Sequence, residues 1–136
     1  NIKHNSGVLA AEEKLSNAHV QDMLDSGVFE LGGHTITHPY LPNTPLKDKQ
    51  YEMLECKKML ETQFKTTISS FAYPFGIYNN EDVNIIKKGS YSSAVTTDEG
   101  VVDNNSTFEL KRIKASGKDS FFAFKLRVLK GFRGFI

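Results

Sequence analysis

Phe29-Glu30-Leu31-Gly32-Gly33-His34-Thr35-Ile36-Thr37-His38-Pro39 is the stretch on which the reading of this chain turns. Residues 28–33 have the character of a short strand, which runs out into a loop holding two histidines four positions apart. Neutral imidazole is a common metal ligand at physiological pH, and two at this spacing can close on one ion. Proline at position 39 disfavours the α region for His38, so a regular helix through both histidines is not expected. Gly32 and Gly33 allow tight backbone geometry where the strand ends, and ligands of α/β sheets bind at the carboxyl ends of strands. Spacing alone leaves two readings open: a metal pair, or loop histidines that only make hydrogen bonds.

Outward from this loop the chain alternates helix and strand. Before it, Ser16 can cap a helix with Val20, Met23 and Leu24 on one face, stopped by Gly27. After it, Thr44-Pro45 starts a long helix, with Thr44 as N-cap and Pro45 at the first helical position. The apolar stripe Met53, Cys56, Leu60 and Phe64 has helical spacing, so Cys56 reads as a packing residue rather than a nucleophile. A strand over 68–72 ends in Tyr73-Pro74-Phe75-Gly76. Asn80 then caps a helix with Glu81 and Asp82 in its first turn, Lys87 and Lys88 in its last, and Gly89 as its stop. Residues 91–97 form a strand, Asp98-Glu99-Gly100 a turn, and 108–115 a further strand. Gly117 and Lys118 lead into a last helix with Phe121, Phe124, Val128, Leu129 and Phe132 on one side. The alternation predicts an α/β domain with a parallel sheet wrapped by helices.

Composition narrows the function classes. The 136 residues suit one domain but are short for a closed β/α barrel of about 250. Seventeen Lys and Arg against sixteen Asp and Glu leave no field to attract nucleic acid. One cysteine excludes an internal disulfide, and no apolar run approaches the roughly 20 residues of a membrane span. The polar start, Asn1 to Ser6, without an initiator Met or a signal peptide, suggests a piece of something longer. Residues 118–136 carry five basic residues, one acid and five phenylalanines. A helix of that kind can lie on an anionic membrane surface, but packing of the Phe face on the sheet is the expected explanation.

The histidine stretch resembles the second motif of the polysaccharide deacetylases (carbohydrate esterase family 4, the NodB-homology domain), and Phe71-Ala72-Tyr73-Pro74-Phe75-Gly76 resembles their third. The segment 89–97 and Phe108-Glu109-Leu110-Lys111-Arg112-Ile113 resemble later parts of the family, and the subgroup most similar is the deacetylases of biofilm poly-N-acetylglucosamine. The resemblance spans about residues 15–130 and implies a partial, distorted (β/α) barrel, with residues 1–136 as the C-terminal portion of a single domain whose N-terminal strands are missing. It implies metal-assisted hydrolysis of N-acetyl groups on a polysaccharide, outside the cell or in the cell envelope. The metal implied is divalent, zinc first and cobalt or nickel as substitutes, with His34 and His38 as two of its ligands. Phe75 matches the position whose backbone N–H supports the oxyanion, and Tyr73, Pro74 and Phe75 would shape the substrate groove. Thr35 and Thr37 would orient the loop.

Several family parts have no match here. The first motif supplies two aspartates, one a ligand and one the general base, and this chain begins after it. Neither His4 nor His19 is read as the catalytic histidine. Where many members carry an arginine at the start of the third motif this chain has Ala72, and Arg112 is the candidate substitute. The expectation is therefore an incomplete catalytic domain, inactive by itself, whose unpaired sheet edges favour self-association. The alternative is a non-catalytic glycan- or metal-binding remnant. A zinc protease is disfavoured, because HExxH needs Glu where Thr35 stands.

Overall fold

The computed structural model describes residues 14–102 and 106–130, so His4 and Phe132 lie outside the described residues. The chain divides into two compact units between Glu30 and Leu31.

In the first unit, helix α1 spans Asn17–Asp25, and Ser16 caps it as expected. Ser16 Oγ accepts the His19 N–H at 3.2 Å, and His19 Nδ1 accepts the Ser16 N–H at 3.3 Å. His19 is thus an exposed capping side chain. Residues 28–30 form no strand, with Val28 79% and Phe29 50% exposed.

The second unit is built on a three-stranded parallel sheet, ordered β1 (Ser70–Ala72), β2 (Ser93–Glu99), β3 (Leu110–Arg112). Phe71 pairs with Ala94 and Val95 with Leu110. All three strands lie within or beside their expected segments, except that Asp98 and Glu99, read as a turn, extend β2. The strand expected over 28–33 shrinks to one parallel bridge, Gly33 with Phe71. Its other residues find no ladder partner among the described ones, and an unpaired extended segment has nothing to hold it.

A run of helix covers 46–64: α2 (Leu46–Gln50), a π-helical turn (Tyr51–Glu55) and α3 (Cys56–Phe64). Pro45 takes the cap position, and Thr44 does not cap; its hydroxyl donates back to the Tyr40 carbonyl at 3.0 Å. The expected stripe is confirmed, with Met53 and Cys56 buried and Leu60 packed against the core. Helix α4 (Asn80–Lys88) is capped by Asn79, one residue earlier than expected. Asn79 Oδ1 accepts the N–H groups of Glu81 and Asp82, and Asp82 Oδ2 accepts the Asn79 N–H. Acids open this helix and lysines close it, which suits its dipole.

Met53, Ile68, Phe71, Tyr73, Val83, Ile86, Tyr91 and Ala94 make the core between helices and sheet. Each large apolar side chain so buried contributes about 1.5–3 kcal/mol. Lys49 is also buried there, its Nζ 2.9 Å from Asp82 Oδ1 and 3.1 Å from Glu81 Oε2. Burial works to lower the Lys49 ammonium, but bonding to Asp82 and Glu81 outweighs it and raises the group above its ordinary value.

Helix α5 (Phe121–Lys130) departs from expectation. Phe121, Phe124, Val128 and Leu129 are exposed, and Arg127 is buried instead. The Arg127 guanidinium holds Asp119 at 2.7 Å and donates to the Lys114 carbonyl. This enclosed pair fixes the helical phase, so the phenylalanine stripe faces outward. No helix among the described residues is long and apolar enough to cross a membrane.

Candidate active site at the carboxyl end of the sheet

Gly33 donates its N–H to the Ser70 carbonyl at 2.8 Å and accepts the Ala72 N–H at 2.9 Å, which pins the histidine loop beside β1. Only glycine fits there, because a Cβ would stand 2.5 Å from the Tyr91 hydroxyl. That hydroxyl is itself fixed, donating to the Met53 carbonyl at 2.9 Å.

His34 follows at once, with Nδ1 2.7 Å from the Ala72 carbonyl. A carbonyl can only accept, so Nδ1 carries the hydrogen, and in the neutral ring Nε2 keeps its lone pair. Thr35 (φ +66°) and His38 (φ +59°) both take left-handed backbone, which for non-glycine residues costs of order 1–3 kcal/mol each. The expected absence of a helix through the pair holds, although His38 turns left-handed rather than extended. Thr35 Oγ1 accepts the His38 N–H at 3.1 Å and donates to the His34 carbonyl, closing the loop. The two imidazoles meet edge to face, centroids 4.8 Å apart.

The second wall comes from the end of β1. Phe75 is a third left-handed residue (φ +58°), and its ring sits 4.4 Å from that of His38. Its N–H donates to no backbone carbonyl among the described residues, and its side chain is 56% exposed. Gly76 (φ +71°) is held against β2, where an added Cβ would fall 1.9 Å from Thr97 Oγ1. Tyr73 and Pro74 do not line a groove. Both are buried, and Tyr73 stacks on Tyr78 at 4.3 Å while its hydroxyl donates to the Phe108 carbonyl. Burial also raises the Tyr73 phenol well above its ordinary range. The exposed aromatics here are Phe75 and Tyr40, 6.4 Å apart. Arg112 Nε donates to the Thr96 carbonyl, and the side chain lines a separate cavity of about 350 Å³ with Thr97, Glu99, Ile113 and Lys114. No hydrogen bond or ion pair among the described residues joins it to His34, His38 or Phe75.

One further residue supports the loop from the long helix. Glu52, buried, accepts from Ile36 N–H (2.7 Å), Thr37 N–H (2.9 Å) and the Thr37 hydroxyl (2.6 Å). Burial pushes its carboxyl up, but these donors outweigh it and hold it below its ordinary value. Cys56, on the next turn of the same helix, is buried, and burial pushes its thiol up, as befits a packing cysteine. The one signal for Glu52 in the sequence is an acid beside Met53 on the apolar stripe.

The donor set fits a divalent ion in part. His34 presents Nε2, with Nδ1 oriented by a carbonyl as ligating histidines usually are, and His38 stands beside it. Among the described residues no group of three His, Cys, Asp or Glu is arranged to hold a metal.

The family model described as polysaccharide deacetylase matches residues 3–94. YxkH of Bacillus subtilis (strain 168), a curated protein named for that activity, is 29% identical over 111 residues, covering 81% of this chain and 39% of YxkH. The structure of the Streptococcus pyogenes deacetylase PplD in complex with acetate matches with a TM-score of 0.73 and 27% identity, over 81% of this chain and 49% of PplD. BC0361, a polysaccharide deacetylase from Bacillus cereus, matches with a TM-score of 0.66 and 30% identity, over 74% of this chain and 32% of that protein. The chain thus spans less than half the length of these relatives.

Proposed function

The chain belongs to the polysaccharide deacetylase family, and from that membership we propose that it forms part of a site removing N-acetyl groups from an N-acetylglucosamine polymer. Such chemistry belongs outside the cell or in its envelope, where such polymers lie. The family is generally metal-dependent, and His34 and His38 would hold the ion, zinc being the best suited to two imidazoles. When bound, that ion supplies Lewis-acid polarisation of the acetyl carbonyl and a more acidic water.

The remaining roles fall to the chain itself. His34 offers Nε2 because the Ala72 carbonyl occupies Nδ1–H. Phe75, turned left-handed, keeps its N–H free for the oxygen of the tetrahedral intermediate. Phe75 and Tyr40 expose aromatic faces on which a sugar ring can lie. The bonding of His34 to Ala72, with His38 at its edge, is the observation that carries the reading. The general base and a third ligand correspond to the two aspartates of the family's first motif, and the general acid to its catalytic histidine, none of which is matched among the described residues. Arg112, bonded to Thr96, is better read as a structural residue.

The test has two arms. Zinc titrated into this chain should bind, and into His34→Ala/His38→Ala should not; equal binding removes the metal assignment. Acetate release from N-acetylglucosamine oligomers is then compared between this chain and a version extended upstream through a first motif. Turnover by the extended version alone is the expected result. Zinc binding with no acetate release from either would favour a non-catalytic metal- or glycan-binding role.

A further inference from the structure

We propose that Glu52 is the positioning residue of the histidine pair: it sets the shape of the 34–38 loop, and through it the spacing of the two imidazoles. The inference rests on the metal reading for its consequence, but its geometry stands on separate contacts. Two successive amides of the loop meet one side chain of the long helix. Glu52 takes those of Ile36 and Thr37.

Glu52 does more than fill space. Both carboxylate oxygens are engaged, Oε2 by the two amides and Oε1 by the Thr37 hydroxyl. A charged acceptor makes these bonds stronger than neutral ones. They hold the residues between Thr35 and His38, the two that adopt left-handed backbone, where an unrestrained loop would relax. The carboxylate lies in the π-helical turn Tyr51–Glu55, and π turns take one more residue than α turns and recur at functional sites. In this helix the turn carries the acid while Met53, beside it, points into the core.

The expected effects separate positioning from mere support of the fold. Ile36 and Thr37 are exposed, so in Glu52→Ala water can bond their amides and the fold survives. What is lost is the fixed direction. Glu52→Gln keeps one carbonyl oxygen for the two amides and should retain most of the arrangement.

The experiment uses the full chain as wild type, Glu52→Ala, Glu52→Gln and His34→Ala/His38→Ala. Cobalt binding is followed by absorption, amide exchange of Ile36 and Thr37 by NMR, and folding by urea. Supporting residues around metal ligands typically change affinity about 10–100-fold. Glu52→Ala should therefore weaken cobalt binding by about tenfold or more and speed exchange at both amides, and Glu52→Gln should lie nearer wild type in both. A lower urea midpoint with unchanged cobalt affinity and unchanged exchange in the folded protein would overturn the proposal. If wild type binds no cobalt, the metal reading fails and exchange alone decides: faster in Glu52→Ala than in Glu52→Gln upholds the role of Glu52, and equal rates refute it.

Discussion

Replacing Lys49 with Met should be among the most damaging single changes in the chain. The ammonium is 2% exposed and sits 2.9 Å from the fully buried Asp82 carboxylate. Lys49→Met fits the volume of the aliphatic stem but leaves Asp82 enclosed, with only the Asn79 N–H as a remaining donor. Removing one partner of a buried pair costs about 3–5 kcal/mol. Glu81, 45% exposed, is wetted and adds little to that figure. With a urea slope of roughly 2 kcal/mol per molar, the midpoint should fall by roughly 2 M. Lys49→Met combined with Asp82→Asn should recover part of the loss, since Asn can still accept the Asn79 N–H without a stranded charge. The pH dependence follows in sign. The folded Lys49 group is raised above its ordinary 10.5, so its stabilisation is complete below that pH and is lost as pH climbs through the folded value. Wild type should thus lose stability above pH 10.5 more steeply than Lys49→Met. A midpoint within about 0.5 M of wild type for the single variant, or parallel alkaline curves, would refute the reasoning.

Gly76→Ala should disrupt the Phe75 turn, since the new Cβ both meets Thr97 and forces alanine to a φ of +71°; the expected result is a loss of at least about 2 kcal/mol in urea and loss of the His38–Phe75 ring contact, read by aromatic NOEs. The exposed Phe121, Phe122 and Leu129, with the outer edge of β3, which pairs with no further strand among the described residues, should bring the chain together at high concentration. Light scattering checks this, and a monodisperse monomer would count against it.

The histidine loop, the apolar stripe through Cys56 and the dipole-matched charges of α4 are legible in the sequence because each depends on near neighbours. What escapes depends on partners far along the chain. Tyr73 reads as a groove residue until its hydroxyl finds the Phe108 carbonyl 35 positions away. The phase of α5 follows its periodicity until the Asp119–Arg127 pair turns it. Lys49 and Glu52 draw no notice in the sequence, and only tertiary contacts with Asp82 and with the loop bring them inside. The strand over 28–33 fails for the complementary reason: its pattern is extended, but a ladder needs a partner that sequence alone does not name.

The grip of Glu52 on the loop has a consequence for anyone who would transplant this site. The pentapeptide His34-Thr35-Ile36-Thr37-His38 is not a portable ligand set. Its two left-handed turns would relax on a foreign scaffold, and the imidazoles would part. Glu52 reaches back 16 and 15 positions to the amides that it holds, and His34 leans on the Ala72 carbonyl of β1, so a piece that keeps the shape runs from Gly33 at least through Ala72. A designer's graft should take loop and helix together, with the π turn intact. A motif search for distant kin gains discrimination by the same token, asking for an acid at that interval after the histidines as well as for the histidines themselves.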